Sequence, residues 1–160
     1  VRFVAAAASD KVARVMASAL EESDLPAGVV EIQTGRSQLL MQSVTCGVVA
    51  SGTATLEAAY YGMPYCLVYR VAWPTYLMAK QLIKLPYIGL INILAGRKLV
   101  PEFIQSEANA YEVASWLGEY LGDDDRREKL SHELLEAASR LGDPGVHGRA
   151  AREISDLFTK

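Results

Sequence analysis

An α/β fold, a parallel sheet with helices on both faces and a helical C-terminus, is predicted by three features of the sequence. The strand-like runs are apolar throughout instead of alternating, as in "GVVA" and "CLVY". They alternate with helical segments across the first half of the chain. From Ala108 onward the pattern is amphipathic helix alone. Continuously apolar strands are those buried on both faces, and strand–helix alternation supplies the crossovers that parallel pairing needs.

The elements follow in order. "VRFVAAAA" reads as a buried strand, and "DKVARVMASALEES" as a helix with Asp10 as its expected N-cap. Leu25-Pro26 and Gly28 mark a loop, and "VVEIQTG" the next strand. "RSQLLMQSV" is a short helix, "CGVVAS" a third strand, "GTATLEAAYYG" a helix stopped by Gly62, and "PYCLVYRV" a fourth strand. "PTYLMAKQLIKL" reads as a helix after Pro74, and "PYIGLINILAGRKLVPEFIQ" as a loop-rich stretch holding further short strands. "ANAYEVASWLGEYLG", "DDRREKLSHELLEAASRLG" and "RAAREISDLFTK" are the closing helices.

Composition narrows the function. At 160 residues, with 51% apolar residues, the chain is a single globular domain spanning 1–160. A net charge of −3 gives no general attraction to phosphate backbones, so nucleic acid is not an expected partner. No apolar run is long enough to span a bilayer, and the order of a signal peptide is missing. Cys46 and Cys66 read as small buried hydrophobes, with neither a disulfide framework nor metal-ligand spacing around them. A reducing, cytoplasmic setting is the default expectation. The chain opens on Val1 directly into a strand, as a fragment of a larger protein does.

The turn after the third strand has the makings of a ligand site. In an open parallel sheet, ligands sit outside the carboxyl ends of the strands. Ser51, Gly52 and Thr53 fall there, with Glu57 a few residues into the helix. Glycine permits close approach, hydroxyls donate to phosphate oxygens, and a carboxylate suits the vicinal hydroxyls of a ribose. Equally, a hydroxyl N-cap followed by an acid is an ordinary helix start. A second polar cluster lies in "NILAGRKLVPEFIQ": Asn92, Arg97, Lys98, Glu102 and Gln105 around an Ala95-Gly96 bend. Arg97 has the donor fork that suits a diphosphate, or pairs with Glu102 at the surface. His132 and His147 read as solvated surface residues. Trp73, Tyr76, Leu77, Met78, Leu82 and Ile83, with Lys80 and Lys84 between, make either an interfacial helix or a helix packed on the sheet.

Taken together, "ASGTATLEAAYYGMPYCLVYRV", "TYLMAKQLIKLPYIGL" and "NILAGRKLVPEFIQ" closely resemble the C-terminal half of bacterial lipid-A-disaccharide synthase. The resemblance runs from about Val1 to Gln105 and more loosely through the closing helices. It implies the C-terminal, Rossmann-like domain of a GT-B glycosyltransferase, which holds the UDP part of UDP-2,3-diacylglucosamine. The acceptor is 2,3-diacylglucosamine 1-phosphate. The resemblance further implies an inverting transfer that uses no metal or other cofactor, at the cytoplasmic face of the inner membrane, with which the enzyme would make peripheral contact.

By the same resemblance, Ser51, Gly52 and Thr53 meet the diphosphate and Glu57 the ribose, while Arg70, Asn92, Arg97, Glu102 and Gln105 line the donor side of the cleft. It also implies that the domain's first strand, a glycine-containing diphosphate loop and the N-terminal domain with the general base lie outside this chain, so no catalytic residue falls within it. A missing central strand is expected to leave a gap in the sheet. The family's Leu-Pro-Asn stands here as Leu90-Ile91-Asn92. Other readings are another UDP-sugar enzyme of the same fold, an epimerase or a peptidoglycan-type GlcNAc transferase, and a non-catalytic nucleotide- or membrane-binding module.

Overall fold

The computed structural model describes residues 1–73, 76, 86–143 and 145–158. Its strands are β1 (Phe3–Ala7), β2 (Val30–Thr34), β3 (Gly47–Ala50), β4 (Tyr65–Tyr69) and β5 (Glu102–Ile104). The helices are α1 (Asp10–Glu21), α2 (Ser37–Ser43), α3 (Ala54–Tyr60), α4 (Leu90–Ala95), α5 (Ala110–Gly122), α6 (Asp124–Ser139) and α7 (Val146–Phe158). The alternation read from the sequence is therefore the architecture of the chain. The helix expected over "PTYLMAKQLIKL", with Lys80 and Lys84, lies outside the described residues apart from Tyr76.

Every strand pairing is parallel, but the strands form two sheets, β1-β2 and β3-β4-β5. Among the described residues, β1 and β3 thus each have a ladder on one side only. Registers are unbroken: Phe3 opposite Val30 through Ala7 opposite Thr34, and Gly47 opposite Tyr65 through Ala50 opposite Val68. The shorter β5 sets Leu67 opposite Glu102 and Tyr69 opposite Ile104.

The core sits where α3, α4 and α6 cover the three-stranded sheet. Tyr65, Leu67, Ile91, Val100, Leu134 and the small Ala58 and Ala59 are buried there. Ile91 is wholly enclosed. The Tyr65 hydroxyl donates to the Thr55 carbonyl at 2.9 Å, which fixes the side of the sheet that α3 covers. Burial pushes the Cys66 thiol up to about 12, so it stays protonated and acts as a small hydrophobe, as its setting in the sequence suggests. Residues alternate in facing, so Val48 and Ala50 point to the other side, where Val48 remains 44% exposed.

Local chemistry sets the helix ends. The N-cap of α1 is Ser9, whose hydroxyl accepts from Val12 N–H, and Asp10 is the first helical residue instead. Both types favour a helix start, and an acid in the first turn meets the positive end of the helix dipole. Asn109 caps α5, accepting from Glu112 N–H, and Asp123 caps α6, accepting from Arg126 N–H. The last helix, α7, leaves Ile154, Leu157 and Phe158 exposed.

Gly62 joins α3 to the strand below it with φ of 64°, a left-handed backbone that glycine adopts freely. A Cβ there would lie 2.8 Å from Ser131 Oγ and 3.1 Å from Leu135 Cγ on α6. Gly62→Ala is expected to lower the unfolding free energy by about 1–3 kcal/mol in urea denaturation. An unchanged midpoint would show that α6 gives way at that contact.

Candidate functional site

The parallel ladders bring the carboxyl ends of β3, β4 and β5 to one edge. At the first, Ser51 N–H donates to the Val68 carbonyl at 3.1 Å, carrying the ladder one residue past β3. Gly52 follows with φ of 149°, and no atom lies within 4 Å of where its Cβ would stand. Its surface is open, as close approach by a ligand requires.

The hydroxyls around this turn divide into two kinds. Thr55 is buried, and its hydroxyl donates back to the Gly52 carbonyl at 2.7 Å. It braces the turn. Thr53 holds the N-cap position of α3 but makes no side-chain cap, its own backbone being already helical. Neither Ser51 nor Thr53 has a side-chain partner among the described residues, so capping does not account for these hydroxyls. Glu57 lies exposed in the first turn of α3 and is likewise without a side-chain partner among the described residues.

Arg70 follows β4 directly and is exposed, with no ion pair among the described residues. It borders a cavity of about 460 Å³ together with Ala50, Val68, Tyr69 and the first turn of α5 at Asn109 and Val113. The structure thus gathers Ser51, Gly52, Thr53 and Arg70 at one edge, with Glu57 one turn behind. Asn109 was not singled out by sequence reasoning. Its signal was the capping pattern of "NAYE", in which an N-cap Asn precedes Glu112 by three residues.

The second cluster is a different kind of object. Asn92 is fully buried on α4, and all of its polar capacity goes to the protein itself. Its Oδ1 accepts from Leu99 N–H at 2.8 Å and Val100 N–H at 3.0 Å. Its Nδ2 donates to the Val100 carbonyl at 2.9 Å and to Glu102 Oε1 at 2.8 Å. Glu102 also accepts from Gly89 N–H at 2.8 Å and Ile88 N–H at 2.9 Å, gathering the N-terminus of α4. Glycine suits position 89, since a Cβ there would sit 2.8 Å from Leu67 Cδ1 and 3.0 Å from Glu102 Oε1 and oblige those side chains to shift. Gln105 is also buried, with its amide on the backbone of Val71. Arg97 stands apart, in the connection before β5, and pairs at 3.5 Å with Glu133 of α6, not with Glu102.

No group of His, Cys, Asp or Glu able to hold a metal ion occurs among the described residues. No helix among them is long and apolar enough to cross a membrane. His132 and His147 are exposed, far from this edge in sequence.

A Rossmann-like domain, of the type that forms the C-terminal half of GT-B glycosyltransferases, is the class that this parallel sheet and its open strand–turn–helix edge define. The chain belongs to the lipid-A-disaccharide synthetase family, whose model matches residues 1–154. It is 37% identical over 136 residues to a lipid-A-disaccharide synthase of Persephonella marina, covering 83% of this chain and 36% of that protein. A synthase of Syntrophus aciditrophicus is 39% identical over 135 residues, covering 84% of the chain and 35% of its own length. One from Geobacter metallireducens is 36% identical over 151 residues, 91% of the chain and 39% of that protein. The chain therefore spans little more than a third of the length of these relatives.

The two clusters should separate in mutagenesis. Asn92→Ala strips two buried N–H groups of their acceptor and is expected to cost about 3 kcal/mol in urea unfolding. Arg97→Ala removes a half-exposed ion pair and should cost about 0.5 kcal/mol or less. Equal losses would show that Asn92 does not hold the loop together.

Proposed function

We propose that this chain is the donor-binding part of an inverting glycosyltransferase. The reaction joins UDP-2,3-diacylglucosamine to 2,3-diacylglucosamine 1-phosphate and releases lipid A disaccharide 1-phosphate and UDP. Family membership supports the reaction class. The observation that carries the donor role is the strand-end edge where Ser51 and Thr53 flank the open backbone of Gly52 and Arg70 follows the neighbouring strand, with no protein partner for their side chains among the described residues.

Donors so placed suit a diphosphate. In sugar transfer the anomeric carbon becomes cation-like as negative charge builds on the leaving group. Hydroxyls and a guanidinium carried on a braced backbone stabilise that charge as it develops. Glu57, one helical turn away, is the acceptor for the ribose hydroxyls. Asn92, Glu102 and Gln105 serve the same site by shaping the loops behind it, and Arg97 fastens the connection before β5 to α6.

In the natural protein, by this proposal, a further strand pairs between β1 and β3, and an N-terminal domain carrying the general base and the acceptor site faces the edge just described. Two sheets with one open ladder on each of β1 and β3 support that arrangement. Peripheral contact with the cytoplasmic face of the inner membrane is proposed because both substrates are acylated. The exposed Trp73, packed edge-on against Tyr76 at 5.7 Å between ring centroids, supports it.

Calorimetric titration of the natural protein with UDP, with ADP as control, tests the donor site. UDP is expected to bind more tightly than ADP. Glu57→Ala, losing hydrogen bonds to a charged acceptor, should weaken UDP roughly 10- to 100-fold. Equal binding of UDP and ADP, or an unaltered Glu57→Ala, would remove the basis for a uridine nucleotide here. Transfer from UDP-GlcNAc in place of the diacylated donor would instead favour a peptidoglycan-type enzyme.

A further inference from the structure

Gln105 is the only non-glycine residue with a left-handed backbone among the described residues, φ being 53°. An L side chain is strained in that region, and glycine would occupy it without cost. What the glutamine contributes in return is visible at the end of the β4–β5 ladder. The last registered pair is Tyr69 opposite Ile104. At Gln105 the backbone turns away into a 3₁₀ turn, Gln105–Glu107, and can no longer pair with β4.

The side chain takes over where the backbone leaves. Val71 N–H donates to Gln105 Oε1 at 2.8 Å, and Gln105 Nε2 donates to the Val71 carbonyl at 2.9 Å. One carboxamide thus gives Val71 both the acceptor and the donor that a neighbouring strand would have offered. Arg70 is held between two fixed points, Tyr69 in the ladder and Val71 in the clamp. On the other side, Ser51 N–H is bonded to the Val68 carbonyl, so the turn and Arg70 share one frame. The Arg70 side chain itself is exposed and without an ion pair among the described residues.

We propose that Gln105 is a positioning residue that acts through Arg70: it fixes Val71 so that the guanidinium and the Ser51–Thr53 turn face one diphosphate together. This rests on the nucleotide reading above. Gln105 is 5% exposed and its amide is engaged on both sides, so it touches no ligand. Glutamine is required and not merely a polar residue. Glutamate would set an oxygen against the Val71 carbonyl, and asparagine would fall one methylene short.

The test uses the natural protein with Gln105→Gly, Arg70→Ala and the double substitution, read by UDP affinity and by amide hydrogen exchange without ligand. Gln105→Gly relieves the backbone while deleting the clamp. It should speed exchange at Val71 by at least about tenfold and leave Leu67, bonded to the Pro101 carbonyl, protected. UDP affinity should fall roughly tenfold, and the double substitution should bind no more weakly than Arg70→Ala alone, as for residues acting through one group.

Several results would overturn the proposal. One is continued protection of Val71 in Gln105→Gly. Another is wild-type UDP affinity in that variant while Arg70→Ala loses affinity. Losses that multiply in the double variant would mean that Gln105 acts independently of Arg70. Wild-type binding by Arg70→Ala would remove Arg70 from the nucleotide site and this proposal with it. If Val71 exchange is nonetheless accelerated in Gln105→Gly, that failure lies in the binding role of Arg70, with the clamp itself intact.

Discussion

A parallel ladder must be re-entered from the same end each time, and this constraint governs the rest of the structure. Every strand pairing here is parallel, so every strand-to-helix junction of the three-stranded sheet falls at one edge. Residues distant in sequence meet there without any contact being designed between them: the Ser51–Thr53 turn after β3, Arg70 after β4 and Gln105 after β5. The same constraint makes the intervening segments long and helical, and the helices supply the apolar faces that bury Tyr65, Leu67 and Ile91.

Polar residues near that edge fall into two groups with different physical fates. Asn92, Glu102, Gln105 and Thr55 are buried or half-buried, where an unmet donor or acceptor is expensive, and each is bonded to nearby backbone. Ser51, Thr53, Glu57 and Arg70 sit at the surface with no such obligation among the described residues. The first group braces the edge, and by the proposal above the second gives it chemistry. A rigid frame with open donors is what electrostatic stabilisation of a departing diphosphate requires.

Much of this was legible in the sequence. Unbroken apolar runs separated by helical periods identify the parallel sheet, and glycine with hydroxyls after "GVVA" marks the turn. The fate of the second cluster was not legible. A buried amide that serves backbone and one that serves a ligand have the same neighbours in sequence, and only the fold decides which partner arrives. Arg97 shows the same limit, since Glu133 comes to it from a helix formed much later in the chain. The short α4 was hidden because six residues ended by Gly96 carry too little periodicity to stand out in a loop-rich stretch. Ser9 displaced Asp10 as the cap of α1 because two adjacent residues of capping type leave the choice to the backbone.

A crystal structure of the natural protein with UDP bound tests the central claim most directly. The account predicts the diphosphate over Gly52, within hydrogen-bonding distance of the Ser51 and Thr53 hydroxyls and the Arg70 guanidinium, with Asn92 still bonded to Leu99 and Val100. A diphosphate held instead by Asn92 and Glu102, with their backbone bonds broken, would contradict it.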